Sequence, residues 1–168
     1  MVVDDPDLRR AADSYALLRA EASARGIDAA LEYMPQSALR TLSEALTLLD
    51  TAGGGRLIVD ALHHDRTGAG LEALQALDPS LISYFQICDA GPLWDATTAG
   101  LHHVARHARL LPGDGTIDLA GMLRVLPPEF PISVEVPNDA GIAKFGALQW
   151  ARMAHERSTA LLSKVVAT

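Results

Sequence analysis

Four short apolar runs, separated by stretches of helical periodicity, constrain the fold of this chain more than any other feature of its sequence. The runs cover residues 29–34, 56–63, 81–89 and 132–136, and their length and alternation predict β-strands. Between them, apolar residues recur at helical spacing, which predicts helices near residues 5–26, 41–52, 71–77, 118–126 and 141–165. Strands that alternate with helices form right-handed βαβ units. The sequence therefore predicts an α/β domain built on a parallel sheet.

Local signals define several boundaries of these elements. Asp5 is predicted to cap the first helix, with Pro6 in its first turn. Thr41 and Glu44 have the spacing of a capping box at the start of the second helix. A long connection from about residue 91 to 115 follows the third strand. The predicted order is one helix followed by four βα units.

Each predicted strand carries one unusual polar residue near its C-terminal end: Glu32, Asp60, Gln86 and Glu135. Side chains alternate between the two faces of a strand, so these four share the inner face of the sheet. The same alternation places Leu62 with Asp60 and Cys88 with Gln86 on that face. The opposite face is apolar and suits packing under helices; it carries Leu31, Tyr33, Leu57, Val59, Phe85, Ile87, Ile132, Val134 and Val136. The carboxyl ends of parallel strands are where α/β barrels place their active sites.

Three of these inward residues are carboxylates, which repel one another unless a cation neutralises them. Three carboxylates and the amide oxygen of Gln86 make a hard, oxygen-rich ligand set, which favours manganese, magnesium or cobalt and leaves zinc open. The alternative is that each acid is simply solvated at the rim of the sheet. Because all four residues lie on the same face of their predicted strands, the sequence favours a metal site.

Other polar residues allow two interpretations each. His63 lies where the chain leaves the second strand and either contacts a substrate or is a solvated loop histidine. Arg109 either binds an oxyanion or phosphate or is a surface charge. His103 and His107 have the i, i+4 spacing of a zinc pair but lack a nearby third ligand, which favours surface histidines. Cys88 lacks an activating partner in the local sequence, so a packed thiol is expected. Both tryptophans, Trp94 and Trp150, are expected to pack.

Composition excludes several classes of function. The net charge is −7 and the sequence pI is about 5.2, with no local basic patch, which argues against nucleic-acid binding. The single cysteine excludes an intrachain disulfide and suits a reducing cytoplasm. The first residues lack the pattern of a signal peptide, and the apolar runs are too short to span a bilayer. We therefore expect a cytoplasmic protein with no membrane contact.

Five motifs occur in an order that resembles the sugar phosphate isomerase/epimerase family, the xylose isomerase-like TIM barrels. Each motif is short, but together they extend over nearly the whole chain. They are Leu31-Glu32-Tyr33-Met34-Pro35, Val59-Asp60-Ala61-Leu62-His63, Gln86-Ile87-Cys88-Asp89-Ala90, Leu111-Pro112-Gly113-Asp114-Gly115-Thr116-Ile117-Asp118 and Ser133-Val134-Glu135-Val136-Pro137.

The resemblance implies roles for individual residues. The family's metal ligands match Glu32, Asp60 and Glu135, and Gln86 stands where many members have histidine. The resemblance also implies that Glu32 and Glu135 are the acid/base pair of an enediolate mechanism. His63 matches a substrate-contacting position. Arg109 lies near the family's arginine that precedes the Pro-Gly-x-Gly motif, and Arg106 competes with it for that role.

Length is the main departure from this family. A complete eight-stranded barrel takes about 250 residues, whereas this chain has 168. Its four strands match the last four of the family, so we expect a single domain over residues 1–168 that lacks the N-terminal half of the barrel. Residues Val2 and Val3 match a stub of the preceding strand. The open sheet edges would be exposed unless a second copy completes the barrel as a homodimer.

These observations predict a metal-dependent isomerase or epimerase of a small sugar, polyol ketone or sugar phosphate. One alternative is a metal-dependent dehydratase of the inosose type that uses the same site. The other is an inactive half-barrel that serves only in binding or assembly.

Overall fold

A computed structural model describes residues 1–127 and 129–166, and within them the predicted alternation of strands and helices is confirmed. A short 3-10 turn at Pro79–Leu81 precedes the third strand. The helices and strands are α1 (Leu8–Ser23), β1 (Ala30–Glu32), α2 (Leu42–Thr51), β2 (Arg56–Asp60), α3 (Ala61–Thr67), α4 (Gly70–Gln75), β3 (Ile82–Ile87), α5 (Thr98–His107), α6 (Leu119–Arg124), β4 (Ile132–Val134), α7 (Asp139–Phe145) and α8 (Ala147–Val166). No helix in these ranges is both long and apolar enough to cross a membrane.

The four described strands form one sheet in the order β1-β2-β3-β4, and every neighbouring pair is parallel. Spatial order therefore follows chain order, as in the wall of a barrel. In this register Asp60 lies opposite Gln86, and Gln86 lies opposite Ser133. The carboxyl ends of all four strands meet at one edge of the sheet.

The outer face of the first three strands forms the core, as the alternation predicts. Its fully buried members are Leu31, Tyr33, Leu57, Val59, Phe85 and Ile87. The prediction is wrong for β4, where Val134 is 41% exposed and Ile132 is only partly buried. The layer that covers the outer face of β1 to β3 therefore covers β4 only in part.

The N-terminal residues run along the free edge of β1. The amino group of Met1 donates to the carbonyl of Ala30 (2.5 Å), and the amide of Glu32 donates to the carbonyl of Met1 (3.1 Å). The amide of Ala38 donates to Val3 (2.9 Å). Val2 and Val3 therefore lie beside the first strand, where the sequence pattern predicts them.

The second strand ends earlier than its apolar run suggests. The carboxylate of Asp60 accepts the backbone N–H of His63 (3.1 Å), which caps α3 and turns the chain into a helix at Ala61. Leu62 and His63 therefore belong to the first turn of a helix and not to a strand. The prediction that Leu62 shares a strand face with Asp60 is wrong, because the capping bond overrides the alternation.

Three other boundaries differ from the sequence prediction. The cap of α1 is Asp7, which accepts from the amides of Arg9 and Arg10, whereas Asp5 pairs with the Arg10 side chain. The connection expected over 91–115 contains α5, which begins at the cap Thr97. The final helix is divided into α7 and α8 at Gly146, whose φ of 77° interrupts the helical backbone. The capping box of Thr41 and Glu44 is confirmed.

Candidate functional site

The four polar residues singled out by the pattern lie at the same edge of the sheet. Glu32 and Asp60 are the last residues of β1 and β2, and Gln86 is the penultimate residue of β3. Glu135 follows β4 directly, and its amide donates to the carbonyl of Ile87 (3.1 Å), which continues the ladder by one residue. Glu32 and Glu135 line one cavity of about 400 Å³.

Glu32, Asp60 and His63 form a compact group at this edge. Each offers a ligand atom, and these atoms lie within 4.8 Å of one another. The Nε2 atom of His63 is 3.9 Å from Oε1 of Glu32, and their side chains are only 4% and 17% exposed. Among the residues that the structure describes, this is the one group of three or more acids, histidines or cysteines close enough together to hold a metal ion.

Arg109 enters the site from the loop before the Pro-Gly-Asp-Gly motif and joins two of the acids. Its Nη1 atom is 2.5 Å from Oδ2 of Asp60, and its Nη2 atom is 3.0 Å from Oε2 of Glu135. Its Nε atom donates to the carbonyl of Ala105 (2.9 Å). With 3% exposure Arg109 is not a surface charge, so that interpretation is wrong. Arg106, the competing arginine, is exposed at the cavity mouth.

The backbone around Arg109 is fixed by residues that the sequence reasoning assigned no role. The backbone groups of Asp89 and Leu110 exchange two hydrogen bonds of 2.9 and 2.7 Å. The carboxylate of Asp89 accepts the amides of Gly113 (3.0 Å) and Ile117 (3.1 Å), so it holds the glycine-rich loop. The Nδ2 atom of Asn138 donates to the carbonyl of Arg109 (2.8 Å). These bonds dock the loop across the ends of β3 and β4.

Cys88 is a packed thiol, as expected. It is fully buried, and its Sγ atom lies 3.2 Å from Nη1 of Arg109. Burial raises the pKa of the thiol to about 12, and the negative charge of Asp60 adds to this increase. The cysteine is therefore part of the wall behind Arg109 and not a nucleophile.

The electrostatics of the site show an excess of negative charge. Burial, with added repulsion from Asp60 and Glu135, raises the pKa of Glu32 from 4.5 to about 7. Burial also raises the pKa of Glu135, against the opposing attraction of Arg109. Burial lowers the pKa of His63 to about 4, so this imidazole is neutral near neutral pH. When all three acids are ionised, Arg109 compensates only one of their charges.

Gln86 provides an independent sign of a missing partner. Its Oε1 atom is buried and accepts no hydrogen bond from any described residue. A buried carbonyl oxygen without a donor is costly unless it meets a cation or an ordered ligand. The three carboxylates and this amide oxygen are hard donors of the kind that a divalent cation prefers. Of the residues at this edge, Glu32, Asp60 and His63 are the group close enough together to hold such an ion.

The remaining sequence predictions concern two histidines on α5 and the two tryptophans. His103 and His107 stack on the exposed side of α5 with ring centroids 5.7 Å apart, and His107 pairs with Asp139 (3.0 Å). Both histidines are exposed, which confirms that they are surface residues. Trp150 packs as expected and donates to the carbonyl of Val136 (2.8 Å). Trp94 is 88% exposed, so the prediction that it packs is wrong.

The fold and the site together define a parallel α/β sheet with a cluster of carboxylates at the carboxyl ends of its strands. No family profile and no curated protein sequence matches this chain. Solved structures do match it. The IolI protein, solved with a bound zinc atom, is 22% identical with a TM-score of 0.81, and the match covers 98% of this chain and 61% of that one.

Two further structures show the same relationship. A xylose isomerase domain protein from Alicyclobacillus acidocaldarius is 25% identical with a TM-score of 0.74, over 94% of this chain and 58% of that one. An L-ribulose 3-epimerase is 19% identical with a TM-score of 0.68, over 94% and 55% respectively. The chain has the fold of the xylose isomerase-like TIM barrels, which confirms the resemblance seen in its motifs. It spans a little over half the length of each of these proteins.

Proposed function

We propose that this chain carries the metal-binding and acid/base half of a divalent-metal-dependent isomerase or epimerase, acting on a small sugar, polyol ketone or sugar phosphate. The observation that carries the proposal is the close group of Glu32, Asp60 and His63, at an edge of the sheet where three carboxylates have one arginine as their counter-charge. The buried, unpartnered Oε1 atom of Gln86, on the residue that lies opposite Asp60 in the sheet register, supports it. A structural ion-pair network has no need of such an excess of negative charge, whereas a divalent cation neutralises it.

Glu32, Asp60, Gln86 and Glu135 would hold the cation, and His63 is close enough to take part. A divalent ion of this kind polarises a substrate carbonyl and stabilises the negative oxygen of an enediolate. Arg109 holds Asp60 and Glu135 in place, because its guanidinium contacts both carboxylates.

Glu32 and Glu135 are suited to the proton transfers. Both carboxylates line the cavity of about 400 Å³, and they come from the first and last strands of the sheet. One carboxylate takes the proton from the carbon beside the carbonyl, and the other delivers a proton to the opposite face of the enediolate. His63 lines the same cavity and is proposed to contact substrate oxygens, whereas Arg109, whose guanidinium is engaged by Asp60 and Glu135, acts through those two carboxylates.

Metal analysis of the purified chain, followed by a ketose screen, tests the proposal. We expect one divalent ion per site and interconversion of ketose epimers by the wild type, with turnover lost in Glu135→Gln. Glu156→Gln, an exposed acid on α8, makes the same change in charge and should retain the activity. Wild-type rates in Glu135→Gln would remove that residue from the chemistry, and a chain that binds no metal would refute the proposal.

A dehydratase is the second candidate, and His63 is the observation that favours it. Its buried ring is a third group able to exchange protons, 3.9 Å from Glu32, whereas epimerisation needs only two. Expulsion of a hydroxyl after enolate formation would use such a group. Product mass separates the candidates, because dehydration removes one water and epimerisation leaves the mass unchanged.

We also propose that the chain corresponds to the last four βα units of a barrel and that a second copy can complete it. Ile58 and Tyr84, on the inner face, border an open cavity of about 640 Å³ that an opposing wall would cover. Light scattering should show a dimer with bound metal. A monomer without metal would instead favour an inactive module that serves only in binding or assembly.

A further inference from the structure

A second cavity, of about 390 Å³, opens beside the acidic site. The two cavities share His63 and Gln36 in their walls, so they lie side by side, and the pair is called the cleft, with a polar end and an apolar end. Apolar side chains dominate the second cavity, and they come from α3, α5 and the loop after β3. They are Leu62, Leu93, Trp94, Leu101 and Val104.

The charges of this cavity do not suit a phosphate group. Arg66 is the one arginine or lysine among its described lining residues, and its side chain is only 7% exposed. Its guanidinium is already engaged, since Nη1 pairs with the neighbouring Asp65 and Nη2 donates to the carbonyl of Gly91 (2.6 Å). Asp95, also in the wall, adds negative charge. A phosphate placed here would lack a free cation and would meet a carboxylate.

The loop over this cavity presents large apolar side chains to solvent. Leu93 is 46% exposed and Trp94 is 88% exposed, although both line the cavity. The loop is held on one side by the bond from Arg66 to Gly91 and on the other by Thr97, which caps α5. Exposed apolar groups between two fixed points, at the rim of an apolar cavity, are typical of a surface that a ligand covers.

We infer that this cavity is a substrate subsite for a carbon ring or alkyl group. It selects unphosphorylated hydroxyketones that carry such a group beside the reacting carbons. The inference rests on the proposed function for the reacting end of the cleft, and it narrows the substrate class by excluding sugar phosphates. Trp94 and Leu93 are the residues that determine this specificity.

Three probes with the same hydroxyketone head test the inference. They are dihydroxyacetone, dihydroxyacetone phosphate and 2-hydroxycyclohexanone, whose affinities are measured by ligand-observed NMR on the magnesium-loaded chain. We expect the cyclic probe to bind about tenfold more tightly than dihydroxyacetone, because its additional methylene groups are removed from water. The phosphate should bind no more tightly than dihydroxyacetone.

Variants test which residues cause the preference for the cyclic probe. Trp94→Ala, and the double variant with Leu93→Ala, should remove the advantage of the cyclic probe and leave the affinity for dihydroxyacetone unchanged. Leu148→Ala is the control, because Leu148 is 68% exposed on α8 and is not part of the cavity wall. Tighter binding of the phosphate, equal binding of all three probes, or an advantage that survives both substitutions would overturn the inference.

The same titrations in EDTA distinguish the two proposals. The apolar cavity does not use the acids, so the preference for the cyclic probe should persist without metal. A persistent preference with no effect of magnesium on any probe would refute the proposed function and support the subsite. If magnesium changes the affinity of the probes but the cyclic probe binds no more tightly than dihydroxyacetone, the subsite is refuted and the proposed function is not.

Discussion

Replacing Glu32 by glutamine should stabilise the metal-free protein at high pH while it abolishes the function. Burial and the neighbouring acids raise the pKa of Glu32 from 4.5 to about 7, and its side chain is only 17% exposed. Between these two pH values the folded chain keeps a proton that the unfolded chain has lost. Stability therefore falls as the pH rises through this window, and the full cost is present above pH 7.

The size of the effect follows from the shift. At about 1.36 kcal/mol for each pKa unit, the ionised Glu32 costs the folded state about 3 kcal/mol at pH 8. Glu32→Gln removes this cost, so it should raise the free energy of unfolding by about 2–3 kcal/mol at pH 8 and change it little at pH 4.5. For a chain of this length that is about 5–10 °C in the unfolding midpoint.

Urea denaturation followed by circular dichroism, in EDTA at both pH values, measures the difference. Glu156→Gln, which makes the same change in charge on the exposed side of α8, should show no such gain. Manganese at about a hundredfold excess over its dissociation constant should raise the free energy of unfolding of the wild type by about 2.7 kcal/mol. The increase for Glu32→Gln should be much smaller. A variant no more stable than wild type at pH 8 in EDTA, or equally stabilised at both pH values, would refute the reasoning.

Three further predictions concern single residues. Gln86→His should tighten manganese binding, measured by calorimetry, because imidazole is a stronger ligand than an amide; an unchanged affinity would mean that Gln86 does not contact the metal. Asp89→Asn should cost about 2–3 kcal/mol in urea denaturation, because the side-chain nitrogen of asparagine would face the backbone amide of either Gly113 or Ile117, each of which donates to a different oxygen of Asp89. Asp114→Asn is the control, because Asp114 lies on the same loop but is partly exposed, and it should cost less than about 1 kcal/mol. Equal losses of stability in the two variants would contradict the role given to Asp89. Tyr33→Phe should cost about 1–2 kcal/mol, because it leaves buried Nδ1 of His64 (2.8 Å from the Tyr33 hydroxyl) without a donor; a neutral substitution would count against that bond.

The sequence alone determined the arrangement of strands and the phase of the four polar residues. Alternation along a strand is a local property, so Glu32, Asp60, Gln86 and Glu135 could be assigned to one face without any knowledge of their neighbours. The common direction of parallel strands then brings their ends to one edge. The capping box at Thr41 was predictable for the same reason, because its partners are three residues apart.

Tertiary structure alone decided which charges meet. The contact between Arg109 and Asp60 joins residues 49 positions apart, and it depends on the bonds that Asp89 and Asn138 make to the backbone of the intervening loop. No periodicity encodes such a contact. The exposure of Val134 and of Trp94 was equally hidden, because burial depends on what covers a side chain in three dimensions. Sequence periodicity fixes the direction in which a side chain points, whereas its partners and its access to water are properties of the assembled fold.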